Sequence, residues 1–541
     1  MLFILLLFIV LLPALLGWGH VAGLIFIRQF STIALQAAAG IMAAGLFFTG
    51  VAFFVPLTWP LELAVLLFGW YYFLKTKGYR PLFSLFWENK MLMGIIVIFT
   101  ALYSSFFPFI MDHFGYYIPT IKWLSSAGLV RGLANLDMVL GQMSVWHIFQ
   151  AGVSHLADPF LRSNALLLLI YLIYCVEKKD WLPFVFVPVL VLFMQSPSPD
   201  LPALVLSLII VRETLQGKTD SFLLAFSVFV FAVKATFFWL PLFLLLDLLR
   251  QRQLWNAKVI APAAFIFLLY VFKNIWVFGF PFFPSTFSSF GVPWQPDLGL
   301  MQNSADLALE KSYDMRYQAE DIRRFTNMQS VINWLLLPGI KGVIHRLFAV
   351  VLVILIWVAV VTKSLKVRLL CIALLIKSLF ILLFSAQYRF FIDVFFVTAL
   401  ITVGKYARRN CVLGISSALS FSVLIILIQP TLLQKLVPSF RMGFFMGQFK
   451  VTQLLKPSVY EWNKFNTYQL GNLTFNVSRG YPYSFDAPLP SITPDFLREN
   501  YEAGIFPQRG ENGFISRKLT PEEKRHLRKI MEAHQVYFPG K

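Results

Sequence analysis

The sequence predicts an all-α polytopic membrane bundle followed by a small mixed C-terminal domain. Three observations carry that expectation. Of 541 residues, 58% are hydrophobic and only 13% charged, with a mean hydropathy of +0.71. A balance this apolar belongs to chains with repeated spanning helices. Second, apolar runs recur throughout residues 1–429. Third, from Pro430 onward the apolar runs stop and the chain alternates, turns and carries charge to residue 541.

The runs lie near 2–16, 33–55, 60–74, 91–108, 163–176, 181–194, 201–212, 221–233, 236–249, 258–279, 343–362, 369–384, 390–404 and 411–428, about 14 segments in all. A helix needs about 20 residues to cross a bilayer, and several runs are shorter. Broken or partly inserted helices buried against protein accommodate such pieces. Met1–Leu16 lacks a basic leader and a small-residue cleavage site, so it reads as a retained first helix.

Orientation follows from the short links. Lys75, Lys77, Arg80 and Lys90 share one, Lys178 and Lys179 another, and Arg250, Arg252 and Lys258 a third. Lys363, Lys366 and Arg368 form the next, and Lys405, Arg408 and Arg409 the last. Basic links mark the cytoplasmic side. The other side then receives the external loops 108–162 and 280–331, the segment Gln195–Asp200, Ser385–Arg389 and the tail. Parity requires Val145–Leu156 to be interfacial or re-entrant. The same clustering explains the net charge of +19 and removes the case for nucleic acid.

In the tail, Leu473–Val477 alternates as a short strand, and Gly480–Pro490 reads as turns. Thr520-Pro521-Glu522-Glu523 has the form of a capped helix start. The three cysteines, Cys175, Cys371 and Cys411, sit in apolar segments and indicate packing.

Chemistry gathers on the external side. FPFIMDHFGYYIPTIKW ends an apolar run and places Asp112 and His113 where the chain leaves hydrocarbon, with Tyr116 and Lys122 beyond. Polar groups at that depth are expensive and line cavities that do work. Asp112 has three uses open to it: a base that orients an acceptor hydroxyl, a helix-end cap, or a partner for Lys122. His113 either contacts phosphate or bonds backbone. In GLANLD, Asn135 and Asp137 occupy a Gly-flanked turn, where they contact sugar hydroxyls or satisfy the turn itself. Asp137 also stands as a second acid, as does Asp200 of QSPSPD, whose alternative is a helix cap. Lys234 lies in the apolar run FVFAVKATFFWLPL and calls for an anionic partner, from protein or lipid, unless it snorkels. Lys273, before GFPFFP, and Arg389, in SAQYRFF, complete three external cations. Together they suit a phosphate or diphosphate. No Walker loop, zinc spacing or Rossmann glycine pattern is present, which disfavours soluble nucleotide donors.

An aspartate delivered by a membrane helix to the first external loop resembles the GT-C superfamily of integral-membrane glycosyltransferases. More narrowly, DHFGYYIPTIKW at 112–123, GLANL at 132–136, SPSPD at 196–200, KNIWVFGFPFFP at 273–284 and FDAPLPSITP at 485–494 are similar to a bacterial branch of GT-C-like proteins. The resemblance implies a polyprenyl-phosphate-linked sugar donor, a glycan, lipid or protein acceptor, inverting transfer, and Asp112 as general base. It implies no certain cofactor. In many relatives a second acidic residue follows in that loop or a later one; here His113 follows Asp112, the second acid is Asp137 or Asp200, and a divalent Mg or Mn ion is left open. The expected place is the bacterial inner membrane, with site and tail periplasmic. Two rivals stand beside transfer: a lipid-linked sugar transporter or flippase, and a polysaccharide polymerase or ligase using lipid diphosphates. A transporter would spread polar residues through the midplane; here they collect at one face.

Overall fold

The computed structural model describes residues 1–286, 288–436 and 449–534, and the architecture is helical with two small hairpins near its C-terminal end. Parts 437–448 and 535–541 of the expected tail domain, and the side chain of Lys405, lie outside the described residues.

Six helices among the described residues are long and apolar enough to cross a membrane: Leu2–Ile25, Ile33–Val51, Ala257–Phe278, Gly339–Val361, Leu365–Phe384 and Arg409–Ile428. A seventh span arises if Tyr79–Glu88 and Lys90–Tyr103, bent by 102°, count as one. These helices fit a membrane protein. The expectation of about 14 segments does not hold. Ser163–Glu177 and Ser221–Val233 are too short to cross alone, and both are almost wholly enclosed by protein. In 182–193, Pro183 and Pro188 break the run into 3-10 and α turns, because proline supplies no N–H to the helix ladder. Apolar composition therefore reports burial here as often as it reports crossing.

The true long helices show a different face. Leu347, Val350, Val353, Trp357 and Val360 of Gly339–Val361 are exposed at helical spacing, a stripe suited to lipid contact. Small residues let the first helices touch backbone to backbone. A Cβ on Gly17 would lie 1.8 Å from the carbonyl oxygen of Gly69, and one on Gly40 would lie 1.9 Å from that of Leu15. Close approach of this kind is how helices pack where water provides no hydrophobic drive.

Basic links meet at one end of the bundle. Glu177 accepts the N–H groups of Ile33 and Ala34 at 2.8 and 3.0 Å. Lys178 pairs with Glu213 at 2.7 Å, Arg212 with Asp180 at 3.0 Å, and Arg28 with Asp220. Lys366 donates to the Thr214 carbonyl at 2.7 Å, and Arg250 pairs with Asp247 at 2.7 Å. Chain direction then carries the start of Asp200–Gln216, the end of Ser221–Val233 and the end of Leu365–Phe384 to the opposite end. That is where the chemistry collects.

In the tail, β1 (Phe465–Leu470) pairs antiparallel with β2 (Leu473–Ser478), and β3 (Ile505–Gly510) with β4 (Gly513–Lys518). The strand expected over 473–477 is β2, and the capping box at Thr520 and Glu523 opens the helix Pro521–Ala533. Val145–Gly152 is a buried helix of 8 residues, a piece that cannot cross.

Candidate functional site

Asp112 stands immediately before a five-residue π-helix, His113–Tyr117. The cause is local. Pro119 has no N–H for the carbonyl four residues earlier, and its ring would clash with it. The turn widens instead, and Ile118 N–H bonds the carbonyl of His113. Such wide turns are rare and concentrate at functional sites. Its effect here is to bury His113, Phe114, Tyr116 and Tyr117 while Asp112 stays half-exposed.

Arg389 Nη1 donates to Asp112 Oδ2 at 2.8 Å, so Asp112 has a fixed partner, and that partner is not Lys122. Lys122 instead donates to the Phe485 carbonyl at 2.7 Å and faces Asp486 at 3.8 Å. Burial would lower the Arg389 guanidinium, but Asp112 and Asp200 outweigh it and hold it above its ordinary value.

Asp200 and Lys234 form a second ion pair in the same cluster. Asp200 is not the helix cap that the sequence offered as its alternative: Pro199 holds that position with no side-chain cap bond, and Asp200 Oδ2 accepts Ser198 Oγ–H at 3.0 Å. Lys234 thereby finds the anionic partner that its apolar surroundings demand. The ring of Phe390 lies between the two pairs, 5.2 Å from Arg389 Cζ and 5.1 Å from Lys234 Nζ. Tyr116 and Tyr117 floor the cluster, with ring centroids 4.5 Å apart. Burial, followed by neighbouring negative charge that includes Asp112 and Asp200, pushes both phenols up, so they stay protonated as donors.

Three expected site residues are placed elsewhere, and a fourth, His113, is enclosed. Lys273 is fully buried, and its Nζ donates to the Met143 carbonyl at 2.7 Å; it does not join Arg389. Asn135 serves the tail: its Oδ1 accepts Ser516 Oγ–H at 2.8 Å, and its Nδ2 donates to the carbonyls of Trp294 and Phe514 at 2.9 and 3.1 Å. Asp137 accepts the Thr493 hydroxyl at 2.8 Å and the Val139 N–H at 3.3 Å. Burial raises its carboxyl to about 6, with Asp495 adding to the shift. His113 is buried edge-on against Phe114, and burial, aided by Arg162, pushes its imidazole well below the ordinary value. His113 is only 5% exposed.

Sequence reasoning gave no site role to Ser198 or Phe390 and counted Tyr117 only among the polar groups of its stretch. Tyr117 and Phe390 adjoin singled-out residues, and Ser198 lies within QSPSPD; the signal was present, but aromatic and hydroxyl residues are too common to rank. It also missed Tyr483 of the tail, half-buried over Gly115 of the π-turn and within the field of Asp112. The tail is thus fastened to the rim of the site.

The two carboxylates are not arranged to share a divalent ion. Asp112 and Asp200 each face a cation rather than a shared point, and among the described residues no three His, Cys, Asp or Glu side chains converge. The donor set does not fit a metal.

No curated protein and no solved structure matches the chain. Residues 1–396 match a family model described as "Domain of unknown function (DUF8201)", a stretch that contains Asp112, Asp200, Lys234 and Arg389 and ends before the tail. Covering well over half of the sequence, that match shows that the chain belongs to the DUF8201 family.

Proposed function

We propose that the chain is a GT-C-type membrane glycosyltransferase. It moves a sugar from a polyprenyl-phosphate donor to an extracytoplasmic glycan, lipid or protein acceptor, with inversion. The observation that supports this best is the Asp112–Arg389 pair at 2.8 Å, half-exposed on a π-helical turn with Asp200–Lys234 beside it.

Single displacement needs a group to take the acceptor's proton and a cation where the leaving phosphate gathers charge. Asp112 is the base, and Arg389 is the cation. In the resting site each neutralises the other. A donor phosphodiester offers the guanidinium a bidentate partner whose single charge grows toward two as the sugar leaves, a gain the carboxylate cannot match. Donor binding therefore draws Arg389 off Asp112 and leaves the carboxylate for the acceptor hydroxyl, so donor precedes acceptor. Lys234 is already neutralised by Asp200 and contributes less than Arg389.

An apolar cavity of about 290 Å³, lined by Trp334, Phe348, Leu352, Leu383 and Ala386 among others, lies against the segment leading to Arg389. Its chemistry suits a lipid chain whose phosphate reaches the guanidinium. The positive-inside rule puts the cluster on the periplasmic side of a bacterial inner membrane.

The test is the donor dependence of initial rates with polyprenyl-phosphate-linked sugar and saturating acceptor. Losing a charge-assisted hydrogen bond costs about 1.5–3 kcal/mol, so Arg389→Ala should weaken donor use roughly ten- to a hundredfold. Lys234→Met should have a smaller effect, and Arg389→Lys should not restore the bidentate contact. Unchanged donor dependence in both Arg389→Ala and Lys234→Met would place the phosphate elsewhere.

A further inference from the structure

Lys377 and Asp393 are 1% and 2% exposed, the most deeply buried ion pair in the described residues. Lys377 comes from the helix Leu365–Phe384 and Asp393 from Ile392–Val403. A third helix, Trp239–Arg250, joins them through Trp239 Nε1, which donates to Asp393 Oδ2 at 2.7 Å. An ion pair at such depth adds little net stability, because desolvation offsets its attraction; apolar side chains of similar volume do as well. Its geometry suggests another use. Lys377 also donates to the carbonyl of Phe390 at 2.7 Å. That carbonyl belongs to the turn Tyr388–Phe391, whose Arg389 meets Asp112 and whose Phe390 ring separates Arg389 from Lys234. On the other side, Phe391 stacks on Phe348 at 3.9 Å.

We infer that Lys377, Asp393 and Trp239 are positioning residues that seat the Tyr388–Phe391 turn and so set the spacing between the Asp112–Arg389 and Asp200–Lys234 pairs. What that spacing serves rests on the transferase reading; the seating of the turn does not. The lysine bonds main chain, so it restrains the peptide itself and not merely a rotamer.

The test uses the full chain in nanodiscs and an all-apolar variant, Lys377→Met with Asp393→Leu and Trp239→Phe, which leaves no buried charge unpaired. Two readouts are taken: hydrogen exchange of peptides covering 388–391, and binding of undecaprenyl phosphate. A positioning role predicts a melting temperature near wild type and exchange at 388–391 faster by about tenfold, the effect of losing one restraining hydrogen bond. Exchange across 365–377 should stay unchanged. Undecaprenyl phosphate should bind about tenfold more weakly, as it should in Arg389→Ala, whose turn keeps normal exchange. Unaltered exchange at 388–391 in the folded variant overturns the inference. Should the triple variant fail to fold, Trp239→Phe alone removes one hydrogen bond and keeps the ion pair; it should speed exchange at 388–391 by about threefold, and no change there overturns the inference equally. If exchange rises but even the wild-type protein ignores undecaprenyl phosphate, the turn is seated as inferred and the transferase reading is what fails.

Discussion

Asp112 and Arg389 are 277 positions apart in sequence, and each is only part-buried. Exposed pairs contribute about 0–1 kcal/mol, so stability gives little reason to keep this one. Asp112→Asn should abolish sugar transfer while shifting the melting temperature hardly at all; full turnover in the Asn variant would end the role of Asp112 as base. A second residue-scale effect concerns the tail. Burial lifts the Asp137 carboxyl from 3.8 to about 6, and Glu499 rises from 4.5 to about 7 through burial first and the Asp137 charge second. A carboxyl raised in the folded state binds its proton more readily there, so stability falls as pH rises through that window. The tail should therefore resist proteolysis better at pH 5 than at pH 7.5, and Asp137→Asn should flatten the change between pH 4 and 6. Identical pH profiles for both proteins would contradict the assignment.

Among elements, local chemistry was legible and long-range pairing was not. The capping box at Thr520 and the alternation of β2 were readable because their partners lie within a few residues. The π-turn was not foreseen, although its local cause, Pro119, sits in the motif; a proline there announces a break in the helix ladder without saying that the turn widens. Lys234 plainly demanded an anion, yet nothing in the pattern could choose Asp200 over a lipid phosphate. Asn135 and Asp137 looked like sugar contacts because polar turn residues near a site resemble polar residues that hold a tail. Their turn is tested by Gly132, whose φ of +71° suits glycine and whose absent Cβ would lie 1.9 Å from the Phe514 carbonyl oxygen. Gly132→Ala should cost more than about 1 kcal/mol. It should release the β3–β4 hairpin, read as earlier cleavage within 505–518 in limited proteolysis; unchanged cleavage would show that this contact does not hold the tail.

For the whole molecule, composition identified the class but overcounted its spans, since a protein this large encloses short helices in its own interior. Among the described residues, fourteen apolar runs became six spanning-length helices, or seven with the bent pair, around enclosed pieces such as Ser163–Glu177. The gathering of the basic links around Lys178, Arg250 and Lys366 at one end was legible, because they recur where the chain returns. Topology is read at exposed positions. Cysteines replacing Lys179 and Arg252 should be shielded from an impermeant thiol reagent in intact spheroplasts, while those replacing Asn463 and Glu511 should react. The reverse pattern would put the cluster in the cytoplasm. The chemistry itself is tested most directly by supplying the purified protein with the lipid-linked sugars and acceptors of a bacterial membrane extract and measuring free polyprenyl phosphate over time. Wild type should release it and Asp112→Asn should not; no release by wild type, or equal release by both, would contradict transfer at Asp112.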